Sequence, residues 1–180
     1  MRVYKFGGAS VKDADGVKNL AEVLKTTGYD KTLVVVSAMG KTTNRMELVI
    51  KNYFENKPEL QSAIHEVIKC HDDIIVDLFE NKRHQVFTDV KMLFDELNTF
   101  FKSNKSPDYN YVYDQTIGFG ELISTTIISH YLNEIGLKNN WIDVREFIKT
   151  DSYYRRSNVN WEATQDNIST NLDTNILNIT

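Results

Sequence analysis

The chain has 180 residues, of which 41% are hydrophobic and 26% are charged, and its formal net charge is −4. This composition is typical of a globular domain with its own core. The acidic balance argues against a nucleic-acid binder, which would carry a basic excess. Cys70 is the only cysteine, which excludes a disulfide within the chain. No apolar run approaches the roughly 20 residues of a membrane span, and no signal peptide is evident. We therefore expect a cytoplasmic protein without membrane or nucleic-acid partners.

The first segment whose residues indicate a possible ligand site is the N-terminal strand with the turn after it. The pattern of Arg2–Phe6 predicts a β-strand, and Gly7, Gly8 and Ser10 follow it directly. Backbone N–H groups beyond the end of a strand favour an anion, and glycine lets the backbone approach a ligand closely. Lys5 would add a positive charge. The alternative is an ordinary glycine turn; the anion interpretation predicts a phosphate site from Lys5, Gly7, Gly8 and Ser10.

The next segment predicts one β-α-β unit. A helix is expected over Val11–Thr27, with Asp13 or Asp15 as its N-terminal cap and Gly28 at its end. The β-branched run Thr32–Ser37 is typical of a strand buried on both faces of a parallel sheet.

A second polar turn follows this strand, over Ser37–Asn44. The Gly40-Lys41-Thr42 triplet is similar to the tail of a P-loop, but Val35 stands where a P-loop requires glycine, so we reject that interpretation. Polar groups at the carboxyl end of a strand are well placed to bind a ligand. The alternative is that Thr43 or Asn44 merely caps the next helix.

Residues 45–102 read as helical, and about 58–102 as an inserted hairpin of two antiparallel helices that meet near Asn81–His84. Cys70 and His71 are adjacent, so they point to different helical faces, and no metal-binding spacing is present. We expect no metal ligands in the protein itself.

A long helix is predicted from about Asp114 to Ile135, with two glycines near its start. Gly118 and Gly120 each cost about 1 kcal/mol relative to alanine, which suggests that something approaches closely there. Glu121 is the one acid in this apolar stretch. It either faces solvent or meets a positive partner.

The rest of the chain predicts further short elements. Lys138–Asp143 reads as a third strand, Ile148–Asp151 as part of a hairpin, and Asn160 as the cap of a helix over Trp161–Leu172. Ile176–Thr180 begins another strand. We expect this strand to leave an open sheet edge through which chains could self-associate, and we interpret the chain as truncated.

Three motifs in this order resemble the aspartate kinases of the amino-acid kinase family. They are Lys-Phe-Gly-Gly-Ala-Ser over Lys5–Ser10, Ser-Ala-Met-Gly-Lys-Thr-Thr-Asn over Ser37–Asn44, and Gly-Glu-x-x-Ser over Gly120–Ser124. The resemblance implies an α/β fold: a three-layer αβα sandwich with a mostly parallel sheet, as in carbamate kinase-like proteins. Residues 1–180 would be the N-terminal portion of the kinase domain, without its nucleotide-binding half or regulatory domains.

The resemblance also implies a reaction: transfer of the γ-phosphoryl group of ATP to the β-carboxylate of L-aspartate. This is the first step towards lysine, threonine and methionine. Mg²⁺ would accompany ATP, and the full-length protein would be a homo-oligomer. Thr43 and Glu121 would hold aspartate, and Lys5 would be catalytic. The residues that the resemblance places near the phosphates are Lys5, Gly7, Gly8, Ser10 and Ser37.

Two alternatives belong beside this interpretation. Uridylate, acetylglutamate and glutamate kinases share the fold and the lysine but lack the second and third motifs. A non-catalytic amino-acid-binding or regulatory module could have kept the aspartate site alone. Because no Gly-Gly-x-Ser-Asp segment is present, the family's adenine pocket and catalytic aspartate are missing, and we expect no kinase activity from this chain alone.

Overall fold

A computed structural model describes residues 1–180 and contains one four-stranded sheet. The strands are β1 (Arg2–Phe6), β2 (Thr32–Val36), β3 (Asn139–Trp141) and β4 (Leu177–Ile179). They pair in the order β1-β2-β4-β3, and every pairing is parallel. The predicted α/β fold with a parallel sheet is confirmed.

Eight α-helices accompany the sheet, and none of them is long and apolar enough to span a membrane. They are α1 (Ala14–Thr27), α2 (Thr42–Phe54), α3 (Leu60–Leu78), α4 (Gln85–Ser103), α5 (Tyr109–Ile117), α6 (Phe119–Glu134), α7 (Val144–Phe147) and α8 (Trp161–Asn171). Short 3₁₀ turns lie at Gly8–Val11 and Tyr154–Arg156.

The predicted β-α-β unit is present, but its helix begins at Ala14 rather than at Val11, which belongs to the 3₁₀ turn. Asp13 rather than Asp15 caps α1, and its side chain accepts a hydrogen bond of 2.9 Å from the Gly16 amide. Gly28 ends the helix with a φ of 81°, a conformation that favours glycine. Val34 and Val36 of β2 are buried, whereas Leu33 and Val35 on the opposite face are only half-buried, so burial on both faces is confirmed in part.

The predicted helical hairpin corresponds to α3 and α4, which are integrated into the core. Val67 and Ile75 of α3 and Leu97 of α4 lie in the same apolar cluster as Val34 of β2 and Ile127 of α6. The hairpin therefore packs into the same core as the sheet. Its residues contribute to holding β2 and α6 in place.

The single helix predicted over Asp114–Ile135 is wrong. The chain forms two helices, because Asp108 caps α5 through the amides of Asn110 and Tyr111 and a break occurs at Gly118. Glycine is a poor helix former, and the Gly118 carbonyl accepts the Glu121 amide at 3.1 Å and the Leu122 amide at 3.0 Å as α6 begins. The break places Glu121 in the first turn of α6.

The expectation of an open sheet edge near Thr180 is also wrong. β4 lies between β2 and β3, with Leu33 paired to Asn178 and Trp141 paired to Ile179. All three residues of β4 are buried, so the sheet is covered on both faces at this strand. The edges of the sheet are β1 and β3, and self-association through the last strand has no structural basis.

Three predictions concern the C-terminal part of the chain: one is confirmed in full, and two are confirmed with shorter elements than expected. Asn160 caps α8 by accepting a hydrogen bond of 3.0 Å from the Ala163 amide. The predicted hairpin strand is reduced to one antiparallel bridge between Thr150 and Val159. The third strand is present but short, and it forms an edge of the sheet.

Candidate functional site

The two predicted ligand loops meet at the carboxyl edge of the sheet. β1 runs into the 3₁₀ turn at Gly8–Val11, and β2 runs into the loop Ser37–Lys41. The Ser37 amide donates to the Phe6 carbonyl, and the Gly40 amide donates to the Gly8 carbonyl, each at 3.0 Å. These bonds hold the loops side by side, at the edge where parallel sheets collect ligands.

The two glycines of the first loop have different roles. A Cβ on Gly8 would lie 2.6 Å from the Ala38 carbonyl oxygen, so Gly8 is required for the close packing of the two loops. A Cβ on Gly7 would meet nothing within 4 Å. Gly7 is exposed, and its amide donates no hydrogen bond within the protein. Of the two, Gly7 is therefore the residue whose backbone is open to a ligand.

This difference gives a prediction about stability. We expect Gly8→Ala to lower the free energy of unfolding by about 1–3 kcal/mol, because the new methyl group overpacks the contact with Ala38. Gly7→Ala is the matched control, since the φ of Gly7 is −77° and the space around it is empty. Urea unfolding measures both variants. Equal losses in the two would contradict the assignment of Gly8 to loop packing.

Lys5 and Ser10 flank this open backbone. Both are exposed, and the Lys5 ammonium forms no salt bridge within the chain. The Ser10 amide donates to the Gly7 carbonyl at 2.8 Å and so closes the turn. The Ser10 side chain itself is exposed. Because α1 begins only at Ala14 and carries its own cap on Asp13, an anion here would meet the turn and Lys5 rather than that helix N-terminus.

Glu121 is the most unusual ionisable group at this edge. It is half-buried in the first turn of α6, and no lysine, arginine or histidine lies within salt-bridge distance of its carboxylate. Burial raises the pKa of Glu121 above its usual value, although hydrogen bonds from the backbone of Glu121 and Ala38 oppose this rise. A partly desolvated carboxylate without a cation is suited to pair with an ammonium group from a ligand.

Gly120 and Ser124 attach α6 to the second loop. A Cβ on Gly120 would lie 3.1 Å from both the Ala38 Cβ and the Thr42 Cγ2, so this glycine permits close approach. The Ser124 hydroxyl donates a hydrogen bond of 2.9 Å to the Ser37 carbonyl. The motif residues around Glu121 thus pack α6 against the loop, and they bring Glu121 beside Ala38.

The two threonines of the second motif also differ. Thr42 is buried, and its hydroxyl donates to the Met39 carbonyl at 2.6 Å. Thr43 is exposed in the first turn of α2. Neither Thr43 nor Asn44 caps the helix, since the cap position is Lys41 and no side chain bonds there. The capping alternative is therefore not observed, and the Thr43 hydroxyl is available to a ligand.

The buried residue behind the second loop could not be predicted from the sequence. His71 of α3 is fully buried, and its Nε2 lies 3.5 Å from the Thr42 Oγ1. A cavity of about 300 Å³ lies on this side, lined in part by Lys12, Lys41 and Arg45. A larger cavity of about 480 Å³ lies elsewhere, between α4, α6 and β3. Only the packing of α3 against α2 brings His71 next to Thr42 of the Ser37–Asn44 motif.

A parallel sheet that carries a glycine turn and a half-buried carboxylate at its carboxyl edge is typical of an α/β protein that binds a small molecule. The model of the amino acid kinase family matches residues 1–180. The chain belongs to the amino acid kinase family.

Individual relatives and solved structures show which members of the family this chain is similar to. The chain is 32% identical over 165 residues to aspartokinase 1, chloroplastic, of Arabidopsis thaliana, and 25% identical over 150 residues to bifunctional aspartokinase/homoserine dehydrogenase 2 of Escherichia coli K12. These matches cover 84% and 83% of this chain, but only 27% and 18% of those proteins. The chain thus spans less than a third of the relatives' length.

The solved structures share the fold. E. coli aspartokinase III in complex with lysine and aspartate superposes with a TM-score of 0.85 at 22% identity, covering 96% of this chain and 38% of that one. Clostridium acetobutylicum aspartate kinase gives a TM-score of 0.74 at 19% identity, covering 99% of this chain and 37% of that one.

Proposed function

We propose that these residues form the aspartate-binding and phosphoryl-accepting part of an aspartate kinase. The observation that carries the proposal is Glu121, a half-buried carboxylate with no cationic partner, which lies beside Ala38 of the second loop. An amino acid with an acidic side chain offers the complementary pair of groups. Its ammonium would neutralise Glu121, and its side-chain carboxylate would face the phosphates. E. coli aspartokinase III, which has the same fold, was solved with aspartate and ADP.

In the proposed reaction, a β-carboxylate oxygen of aspartate attacks the γ-phosphorus of ATP. The bond from that phosphorus to its bridging oxygen breaks, and ADP leaves. The protein contributes position and positive charge, since phosphoryl transfer needs no covalent enzyme intermediate. Glu121 and Thr43 hold the acceptor, while Lys5 and the Gly7 amide stabilise charge on the migrating group. Ser10 and Ser37 offer hydroxyl groups beside them, and Gly8 supports their loop.

Mg²⁺ enters the proposal together with ATP. No group of three or more histidine, cysteine, aspartate or glutamate side chains is arranged to hold a metal ion. We propose that the ion would be held largely by phosphate oxygens, which is common for Mg²⁺ in kinases. Bound in this way, the ion would neutralise phosphate charge.

Two further parts of the proposal concern the protein's state in the cell. We propose a cytoplasmic location, a reducing compartment that is consistent with the single unpaired cysteine, Cys70. The matched relatives include plant proteins described as chloroplastic and an E. coli protein. We also keep homo-oligomerisation as part of the proposal for the longer protein.

Aspartate binding and phosphoryl transfer can be separated experimentally. We expect the 180-residue chain to bind L-aspartate in a titration followed by NMR, but to release no ADP in a coupled assay with saturating MgATP and aspartate. The proposed residues supply an acceptor site and part of a phosphate cradle, whereas transfer also requires a fully held donor. Absence of aspartate binding would contradict the proposed function. Rapid release of ADP would contradict the inference that these residues hold the acceptor but not the whole donor.

The alternative is a non-catalytic amino-acid-binding module, and the anion turn distinguishes it. A kinase site predicts that tripolyphosphate binds at Gly7 and that Lys5→Ala weakens this binding. A module that only binds amino acids predicts aspartate binding without any tripolyphosphate effect at Gly7. The exposed, unpaired Lys5 and the open Gly7 amide favour the kinase.

A further inference from the structure

One buried histidine of the helical hairpin contacts the back of the second ligand loop. His71 of α3 has no exposed surface, and its Nδ1 lies 2.8 Å from the Val67 carbonyl oxygen. A carbonyl oxygen can only accept, so Nδ1 carries the hydrogen and donates it. The ring also packs edge-on against Phe94, with centroids 5.7 Å apart. These contacts fix the ring orientation and turn the Nε2 lone pair towards the loop.

Thr42, the first residue of α2 after the loop, is the residue that His71 contacts. Its hydroxyl lies 2.6 Å from the Met39 carbonyl and 3.5 Å from His71 Nε2. The hydroxyl has one hydrogen and donates it to Met39, the nearer acceptor, so Nε2 of the neutral His71 ring packs against the Thr42 oxygen without a hydrogen bond from it. The methyl side of Thr42 contacts Gly120, whose Cβ position lies 3.1 Å from the Thr42 Cγ2. Thr42 is thus held between α3 and α6.

We propose that His71 is a positioning residue that acts through Thr42 on the loop Ser37–Lys41. The inference rests on the proposed function, because the residues next to Thr42 and Gly120 are Thr43 and Glu121, which would hold aspartate. By fixing Thr42 from behind, the neutral imidazole sets the separation between those two side chains. The helical hairpin then has a specific role: it supports the acceptor site.

The electrostatic surroundings keep His71 neutral. Burial is the main cause that lowers its pKa, the hydrogen bond to Val67 opposes this, and Arg45 lowers it further. Other charged groups line the same cavity: Lys12, Lys41 and Asp73, with the Cys70 thiol beside them. Asp73 is paired with Lys69 at 2.8 Å. The remaining cations disfavour an imidazolium, so the ring stays neutral at neutral pH.

The test replaces His71 first with a ring that has no polar atoms and then with a polar side chain. We expect His71→Phe to weaken aspartate binding by the 180-residue chain about tenfold, because it removes the buried hydrogen bond to the Val67 carbonyl that orients the ring behind Thr42. His71→Gln restores a donor for the Val67 carbonyl and should recover part of the affinity. His65→Phe is the matched control, because His65 is exposed on the same helix. If His71→Phe does not fold, Thr42→Val provides the test, since it keeps the shape of Thr42 and removes its hydroxyl.

Hydrogen exchange supplies a readout that does not depend on aspartate. The Gly40 amide is bonded to the Gly8 carbonyl and the Thr42 amide to the Met39 carbonyl. Both should exchange faster in His71→Phe, while amides of β4 stay unchanged. Unchanged exchange in the loop overturns the proposal. Faster exchange with unchanged aspartate affinity overturns its link to binding. A wild-type chain that binds no aspartate refutes the proposed function itself, and the role of His71 in substrate binding with it.

Discussion

Lys5→Ala is expected to lower kcat by about 10²–10³-fold in a catalytically active enzyme that contains this chain, as is common when preorganised charge is removed. Lys5 lies near the end of β1, just before the open backbone of Gly7, and no acidic side chain pairs with it. Its ammonium is therefore free to stabilise charge on the transferred phosphoryl group. Steady-state kinetics with saturating aspartate and MgATP measures the effect.

Lys18→Ala is the matched control for this experiment. Lys18 is exposed on α1 and forms only a long surface pair of 3.8 Å with Asp15, which contributes little to stability. Its replacement should leave kcat unchanged. A near-normal kcat for Lys5→Ala would reduce Lys5 to an exposed surface residue and would remove the catalytic role that we propose for it.

Glu121→Gln is expected to have opposite effects on substrate affinity and on stability. In the active enzyme, KM for aspartate should rise far more than KM for ATP, because glutamine cannot form an ion pair with the substrate's ammonium. The unliganded 180-residue chain should become more stable at neutral pH, because the variant removes a partly desolvated charge. Such a conflict between stability and function is typical of a binding site.

The pH dependence of the stability gain follows from the raised pKa of Glu121. Above the folded-state pKa, the cost of the buried charge is fully present, so the variant gains most there. As the pH falls through that pKa and then below the unfolded value, Glu121 is protonated in both states and the gain disappears. Urea unfolding between pH 4 and pH 8 measures this, with exposed Glu66→Gln as the control. A destabilised Glu121→Gln at neutral pH would contradict the account.

Local sequence signals predicted much of the fold because they act over a few residues. The strand that ends at Phe6, the stop at Gly28 and the cap at Asn160 each depend on neighbouring backbone groups, and the structure confirms them. The break at Gly118 was missed because the apolar pattern continues across it. A pattern records which face is buried, but not whether the backbone hydrogen bonds continue.

The position of β4 could not be read from the sequence, because strand order depends on how the connecting helices pack. Ile176–Thr180 reads correctly as a strand, but nothing in it specifies pairing with both Leu33 and Trp141.

At the candidate site, the motifs indicated the right loops but not the division of roles within them. The contrast between packed Gly8 and open Gly7, and the contact between His71 and Thr42, depend on residues distant in the sequence.

The central claim is that Glu121 binds the α-ammonium group of aspartate, and succinate tests it most directly. Succinate keeps both carboxylates of aspartate and lacks only the ammonium. We predict that L-aspartate shifts the NMR signals of Ala38, Thr43 and Glu121 in the 180-residue chain, and that succinate at equal concentration does not. The Glu121→Gln variant should lose the response to aspartate. Equal binding of succinate and aspartate by the wild-type chain would contradict the account.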